Sequence, residues 1–157
     1  MKKFLLIILL LIPIGLLVSC SDDVENPKEE SNATVTLIFN NVAVVNGKIY
    51  TTQDYPLEIE SVKLNNPDAY SKGIYDVEYM IDGHSVSKSN YAPFTGRIDT
   101  RVLSTGTHPL GVYLDIIEGD NTQTVDNMEY NFIVVPSVDD IPMDAQLGTF
   151  TQTFHVV

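Results

Sequence analysis

Cysteine is nearly absent from this chain: Cys20 is the one cysteine among 157 residues. A single thiol cannot form a disulfide within its own chain, so the fold must be held by packing and hydrogen bonds alone. Cys20 also follows directly after an apolar segment. If its sulfur is covalently modified there, it is no longer a free thiol. The remaining residues would then offer no thiolate nucleophile and no sulfur ligand for a metal.

Basic residues are scarce and tryptophan is missing. The chain has 9 Lys and Arg against 21 Asp and Glu, which gives a net charge of −12. Loss of Lys2 and Lys3 with a cleaved leader would leave seven basic side chains. Such an acidic surface repels nucleic-acid phosphates and anionic lipid headgroups. The sequence also has no run of basic residues that could bind them. We therefore expect no nucleic-acid partner.

The longest apolar run is too short for a membrane-spanning helix. It covers residues 4–18, whereas a spanning helix needs about 20 apolar residues. The positive start at Lys2 and Lys3 and the small residue Ser19 before Cys20 instead predict a cleaved secretion signal. A retained membrane helix and a plain secreted protein are the alternatives, although the second leaves the cysteine unexplained.

The segment Leu17-Val18-Ser19-Cys20 resembles the lipobox of bacterial lipoproteins. The resemblance implies that residues 1–19 are a signal peptide and that Cys20 becomes the first mature residue, acylated with fatty-acid chains such as palmitate. Each buried methylene contributes about 0.8 kcal/mol, so several acyl chains would hold the protein on the membrane almost permanently.

The next residues, Ser21-Asp22-Asp23-Val24-Glu25, resemble the acidic export signal of Bacteroidetes surface lipoproteins. This resemblance implies a lipid-anchored protein of the outer membrane that faces the cell exterior, with Ser21, Asp22 and Asp23 as the signal. An ordinary acidic tether, with the domain facing the periplasm, is the alternative.

The remainder divides into a tether and a domain. Residues 20–32 are polar, include a proline and lack apolar periodicity, which is typical of a flexible spacer. Residues 33–157 are long enough for one domain with a proper hydrophobic core. Residues 136–157 are predicted to be an extra strand or an extension that reaches towards a partner.

Within residues 33–157 apolar residues alternate with polar ones, which predicts strands with one face turned to the core. The alternation slips at Asn40-Asn41, as at a β-bulge, and Asn46-Gly47 and Asp82-Gly83 are hairpin dipeptides. Only residues 66–73 have helix-cap signals, and they predict about one helical turn. The predicted inward sets are Val35, Leu37 and Phe39; Tyr75, Val77, Tyr79 and Ile81; Phe94, Ile98, Thr100 and Val102; His108, Leu110, Val112, Leu114 and Ile116; Met128, Tyr130, Phe132 and Val134; and Phe150, Phe154 and Val156.

Many short strands separated by turns predict an antiparallel sandwich or barrel. The segments VEYMIDG, APFTGRIDT and LSTGTHPL, at residues 77–83, 92–100 and 103–110, resemble bacterial immunoglobulin-like domains of surface lipoproteins and glycan-processing enzymes. The resemblance covers about half of the mature chain. It implies an all-β fold, an immunoglobulin-like antiparallel β-sandwich that follows the signal peptide and the tether.

No arrangement of ionisable residues points to an enzyme or to a metal site. His84, His108 and His155 lack metal-ligand spacing, and His108 shares the inward phase of a strand, so we expect it to be hydrogen-bonded and structural. Nucleophile-elbow and phosphate-loop motifs are missing, and we predict no catalytic residue, metal or cofactor. Two acidic groups lack calcium-loop spacing and are expected to be solvated loops: Asp115, Glu118, Asp120 and Asp126, and Asp139, Asp140 and Asp144.

Tyrosines in loops or on the outward phase of strands are the candidate ligand contacts. Aromatic faces stack on sugar rings, although tyrosine is also simply a frequent strand residue. The candidates are Tyr50, Tyr55, Tyr70, Tyr91 and Tyr113.

Two functions follow as expectations. The first is an outer-membrane, surface-exposed lipoprotein whose non-catalytic domain binds a glycan or a protein partner. The alternative is a structural or accessory subunit of an outer-membrane uptake or pilus-like assembly, whose C-terminal strand around residues 150–157 pairs with the sheet edge of a partner. An enzyme ranks last, because no pair of carboxylates can be placed across a cleft from the pattern alone.

Overall fold

The computed structural model describes residues 32–67 and 71–156, and nearly all of its regular structure is β-strand. No helix within these residues is long and apolar enough to cross a membrane. The all-β fold, mostly antiparallel, is therefore confirmed. The strands are β1 Thr34–Val45, β2 Lys48–Thr52, β3 Leu57–Asn65, β4 Ser71–Ile81, β5 His84–Ser89, β6 Gly96–Ile98, β7 Gly106–Glu118, β8 Asn121–Val135 and β9 Gln146–His155, and 3-10 turns cover Thr100–Val102 and Val138–Asp140.

The described strands form one hydrogen-bonded sheet with the order β5-β4-β7-β8-β2-β1-β3-β6, and β9 pairs with β1. Contacts between strands far apart in this order, such as β1 with β8 and β4 with the segment before β6, fold the sheet into two layers, β6-β3-β1-β9 and β5-β4-β7-β8-β2. All pairs are antiparallel except β2 and β8, which run parallel from Tyr50↔Ile133 to Thr52↔Val135. Because β2 also forms a hairpin with β1, it closes this side of the molecule. On the opposite side β5 and β6 are the outer strands.

Side chains from both layers meet in one core. The rings of Phe39 on β1 and Tyr130 on β8 lie 5.6 Å apart, centroid to centroid. From β4 the fully buried Tyr79 crosses the core, and its hydroxyl donates a hydrogen bond to the carbonyl of Phe94 beside β6. Burial raises the pKa of the Tyr79 phenol. The two layers are thus held by apolar packing and by the buried hydrogen bond from Tyr79 to Phe94.

The predicted hairpins and the predicted bulge are confirmed. Asn46-Gly47 joins β1 to β2 and Asp82-Gly83 joins β4 to β5, and all four residues have positive φ, from 48° to 78°. These are the angles that tight hairpin turns need and that asparagine, aspartate and glycine tolerate. Asn41 has a φ of 51°, and the register of β1 against β9 shifts between Phe39 and Val42.

Two predictions near the start of β4 differ from the structure. Residues 71–73, the end of the predicted helical turn at 66–73, belong to β4, where Ser71 pairs with Glu118 of β7; residues 68–70 of that prediction lie outside the described part of the chain. Tyr75 does not face inward, since the register of β4 against β7 shifts on both sides of Ile74. Tyr75 is consequently 57% exposed, and Asp76 is buried instead.

The predicted strand through Phe94, Ile98, Thr100 and Val102 is also wrong over most of its length. β6 has only three residues, Gly96–Ile98, and a 3-10 turn follows at Thr100–Val102. The Asp99 side chain accepts a hydrogen bond from the backbone N–H of Arg101 and so caps this turn. Local capping therefore replaces the sheet pairing that the alternation suggested.

The C-terminal strand β9 packs on its own domain. It runs antiparallel along β1 from Thr34↔His155 to Val44↔Gln146. Phe150 and Phe154 turn towards the core and are half-buried against it. In the described part of the chain β9 pairs with β1 alone, which makes it the outermost strand of its layer.

Candidate functional site

An open groove lies on the side where β5 and β6 face each other. Its volume is about 440 Å³, which falls in the range of about 300–1,000 Å³ that small-ligand sites occupy. Strands β3 and β6 form one wall through the pairs Glu58↔Arg97 and Ile59↔Gly96. The lining residues are Asn40, Glu58, Ile59, Glu60, Ser87, Lys88, Ser89, Tyr91, Thr95, Gly96 and Arg97.

Tyr91 stands at this groove on a tightly held loop. The N–H of Phe94 donates to the carbonyl of Tyr91 at 2.9 Å, and the N–H of Val62 donates to the carbonyl of Pro93 at 2.9 Å. The Ser89 hydroxyl also donates to the Tyr91 carbonyl, at 3.3 Å. Phe94 adopts a φ of 62° with its ring buried, a conformation that persists only where the surroundings impose it. The 68% exposed Tyr91 ring therefore projects from a backbone that is already ordered.

Charges of both signs line the groove. The Nζ atom of Lys88 lies 3.1 Å from Oδ2 of Asp76, and this hydrogen bond raises the pKa of Lys88. Arg97 stands opposite Glu58 in the β3–β6 pairing, and Glu60 adds a second carboxylate. An aromatic ring between hydrogen-bond donors and acceptors suits a ligand with hydroxyl, amide or zwitterionic groups.

A second, smaller groove of about 340 Å³ shares Arg97 with the first. Asp99 and Arg101 form a bidentate ion pair there. Arg101 Nε donates to Asp99 Oδ1 at 2.9 Å, and Nη2 donates to Oδ2 at 2.7 Å. These bonds lower the pKa of Asp99 to about 2. Asp54 and Pro56 complete the lining. Arg97 lines both grooves. Arg101 lines only the second groove, and its guanidinium is already paired with Asp99.

The candidate tyrosines are spread over the molecule. Tyr50 lies half-buried on β2, Tyr55 is 61% exposed in the β2–β3 turn, and Tyr113 is 36% exposed on β7. Tyr70 lies outside the described residues. Of the four candidates that the structure describes, Tyr91 alone lines one of these two grooves, so these four do not form one aromatic platform.

His108 has the structural role that its strand phase predicted. It is 6% exposed at the start of β7, and its Nε2 donates a hydrogen bond to the carbonyl of Ser104 at 2.8 Å. Its Nδ1 lies 3.0 Å from Oδ2 of Asp82. The ring thus ties the β4–β5 turn to the segment before β7.

Two of the acidic residues accept hydrogen bonds from nearby side chains or backbone. Asp140 accepts hydrogen bonds from the backbone N–H and the hydroxyl of Ser137, and Asp115 accepts one from the Thr124 hydroxyl at 2.6 Å. Across residues 32–67 and 71–156, no three His, Cys, Asp or Glu side chains come close enough to hold a metal ion.

The predicted anchor residue Cys20 and the predicted export residues Ser21, Asp22 and Asp23 lie outside the described residues. Sequence reasoning also missed Lys88 and Arg97 as groove residues. Both belong to short strands, and they come together only through the pairing of β6 with β3 and of β5 with β4. The alternation of Glu58 and Glu60 with apolar neighbours was the one local sign of an outward polar face.

Comparison with known proteins finds one distant structural likeness. No protein-family model matches the chain, and no curated protein matches it. Among solved structures, it is similar to the fibronectin(III)-like modules of Clostridium thermocellum CbhA, with 14% sequence identity and a TM-score of 0.40. That match covers 62% of this chain and 96% of the module.

Proposed function

We propose that this protein is a lipid-anchored, non-catalytic module of the outer membrane, displayed on the cell exterior, which binds a glycan or a protein partner through an immunoglobulin-like β-sandwich. The strand order supports the fold assignment, because β1, β3 and β6 share one layer and β4, β7 and β8 share the other. That division matches the ABE and CFG strands of immunoglobulin-like domains. The anchor and the display rest on the sequence around Cys20.

The observation that carries the binding proposal is the exposed ring of Tyr91 at the groove. An exposed aromatic ring on an ordered loop loses little conformational entropy on binding. Lys88, Arg97, Glu58 and Glu60 surround it with donors and acceptors that can orient a polar ligand. Glycan hydroxyls and the polar rim of a protein partner both fit this chemistry.

The binding proposal is tested with the full-length protein on a panel of bacterial and host glycans and on envelope proteins. For a ligand that binds, Tyr91→Ala should weaken binding about tenfold or more, since a central tyrosine at an interface is commonly worth over 1 kcal/mol. Tyr55→Ala is the matched control, because Tyr55 is similarly exposed but lies outside the groove. Equal losses in both variants, or none in Tyr91→Ala, would contradict a site at the groove.

The anchor and the display are tested on intact cells. Externally added protease should degrade the protein, while a periplasmic marker survives until the cells are lysed. Changing Asp22 and Asp23 to alanine should leave the lipid in place and protect the domain. Cys20→Ala should abolish membrane attachment; a cleaved and still membrane-bound Cys20→Ala protein would refute the lipid anchor.

A second candidate function is that of a structural or accessory subunit that joins an envelope assembly by strand pairing. The observation that favours it is β9, whose outer edge pairs with no strand in the described part of the chain. An open edge offers backbone N–H and C=O groups to an incoming strand.

A further inference from the structure

The three outer strands differ in how well they resist pairing with another chain. β6 is only three residues long and has Arg97 at its centre, and β5 carries Lys88. Short strands and lysine or arginine side chains are the usual devices that keep an edge from pairing. β9 has ten residues, and its sequence QLGTFTQTFH contains no Lys, Arg, Asp, Glu or Pro. The longest edge is thus the one without protection.

The face around β9 is also electrically neutral in a strongly acidic protein. The outward residues of β9 include Thr151, which lies beside Ile38 of β1, Thr153, which lies beside Thr36, and His155, which lies beside Thr34. The nearest acidic row on this layer, Glu58 and Glu60, belongs to β3 on the far side of β1. Two inter-strand spacings put that row about 10 Å from β9, which is about one Debye length at physiological salt. A second copy can therefore approach this edge without strong charge repulsion.

The sequence of β9 is self-complementary in antiparallel pairing. If Gln152 faces Gln152 of a second copy, then Phe150 faces Phe154, and Thr151 faces Thr153, on each side of the centre. Aromatic pairs and threonine pairs are favourable across strands, and two glutamine amides can donate to and accept from each other. The β1–β9 pair already has one such contact, with the Oγ1 atoms of Thr36 and Thr153 3.1 Å apart.

Burial of the half-exposed rings of Phe150 and Phe154 would favour pairing of the two strands. Phe150 lies 6.1 Å from Phe39 and 5.6 Å from Tyr130, between ring centroids, so one side of the ring is already in the core. Because β9 is the outermost strand, the other side faces the open edge. A strand added in this register covers both phenylalanines with the phenylalanines of the second copy.

We propose that two copies of this protein associate through their β9 strands, in an antiparallel, two-fold symmetric pair centred on Gln152, to form one continuous sheet with the order β6-β3-β1-β9-β9-β1-β3-β6. Such a contact is isologous and closes at two copies. The inference deepens the second candidate function, on which it rests, by naming the partner as another copy of the chain.

Photo-cross-linking in native membranes tests the pairing and distinguishes the partners. The full-length protein carries p-benzoylphenylalanine in place of the exposed Thr151, with the same substitution at exposed Ser85 on β5 as the control. We expect a product of twice the chain mass from position 151 and not from position 85. A product that contains a different protein overturns the proposal but leaves the accessory function standing. No product at all overturns both.

Charge placed on the edge should remove the contact. With the cross-linker moved to exposed Leu147, the double variant Thr151→Lys and Thr153→Lys sets lysines opposite each other and should lower the product at least tenfold. The matched variant Thr151→Ser and Thr153→Ser should keep it. Unchanged thermal unfolding shows that each variant is folded, and persistence of the product in a folded lysine variant overturns the proposal.

Disulfide trapping tests the register without relying on charge. Gln152→Cys should give a covalent dimer under mild oxidation, since residue 152 lies on the two-fold axis. Thr149→Cys should not, because two copies of residue 149 would be six residues apart, about 20 Å along the strands. The unmodified protein controls for Cys20. A dimer from Thr149→Cys, or none from Gln152→Cys, overturns this register.

Discussion

At the scale of single residues, the contact between Tyr79 and Gly96 governs how closely the two layers approach. The Tyr79 ring lies so near β6 that a Cβ atom on Gly96 would meet three of its carbons at 2.6, 2.8 and 2.9 Å. The phenol is fixed in turn by its hydrogen bond to the Phe94 carbonyl. Gly96 is therefore required for close packing and not for a turn.

Gly96→Ala should destabilise the protein by about 1–3 kcal/mol, because the added methyl overpacks a closed core. Gly148→Ala is the matched control: it is also in a strand, but its added Cβ meets nothing within 4 Å. Equilibrium unfolding in urea measures both. Similar stabilities for the two variants would mean that Tyr79 moves aside freely.

The structure gives a direct physical cause for the low pKa of Asp99. The Arg101 side chain and backbone N–H lower its pKa to about 2 from 3.8. Arg101→Gln should move the Asp99 pKa upward towards 3.8, and Arg97→Gln should change it much less. Carboxyl NMR titration measures the shift. In the native protein this stabilising contact is present above the unfolded pKa and is lost as the pH falls through about 2; an unchanged pKa in Arg101→Gln would contradict the assigned cause.

At the scale of elements, side chains far apart in sequence hold the connections between strands. Tyr130 on β8 accepts a hydrogen bond from the N–H of Ile49 and donates one to the carbonyl of Gly47, both at 2.9 Å. His108 joins Ser104 to Asp82 in the same way. The turns are formed by their own residues, but these contacts set how the hairpins sit against the sheet.

His108→Gln should cost about 1–3 kcal/mol of stability, because a glutamine amide cannot reach both partners and leaves a buried polar group unsatisfied. His155→Gln, at an exposed site on β9, should be nearly neutral. Thermal or urea unfolding compares the two. A larger loss from His155→Gln than from His108→Gln would contradict the structural role of His108.

At the scale of the whole molecule, the two open sides of the fold have different chemistry. The β5–β6 side presents a groove with Tyr91 and charges of both signs, whereas the β9 side presents an uncharged, threonine-rich edge. Both sides can be occupied at once, because β3 and β1 separate them within one layer. The proposed ligand binding and the proposed self-association are thus compatible with each other.

The sequence by itself determined the features that depend on near neighbours. Alternation predicted the inward faces of β1, β7 and β8, since successive side chains of a strand point to opposite faces. Asn46-Gly47 and Asp82-Gly83 predicted their hairpins, because positive φ is a local property of those residues. The sequence around Cys20 likewise predicts the anchor from a contiguous pattern.

Only the tertiary structure decided the features that depend on distant partners. The exposure of Tyr75 follows from the register of β4 against β7, and the shortness of β6 follows from its pairing with three residues of β3. The groove around Tyr91 and the open edge of β9 arise in the same way. Register is set by cooperative pairing across the chain, and a one-residue shift reverses which face each side chain occupies; no local pattern contains that information.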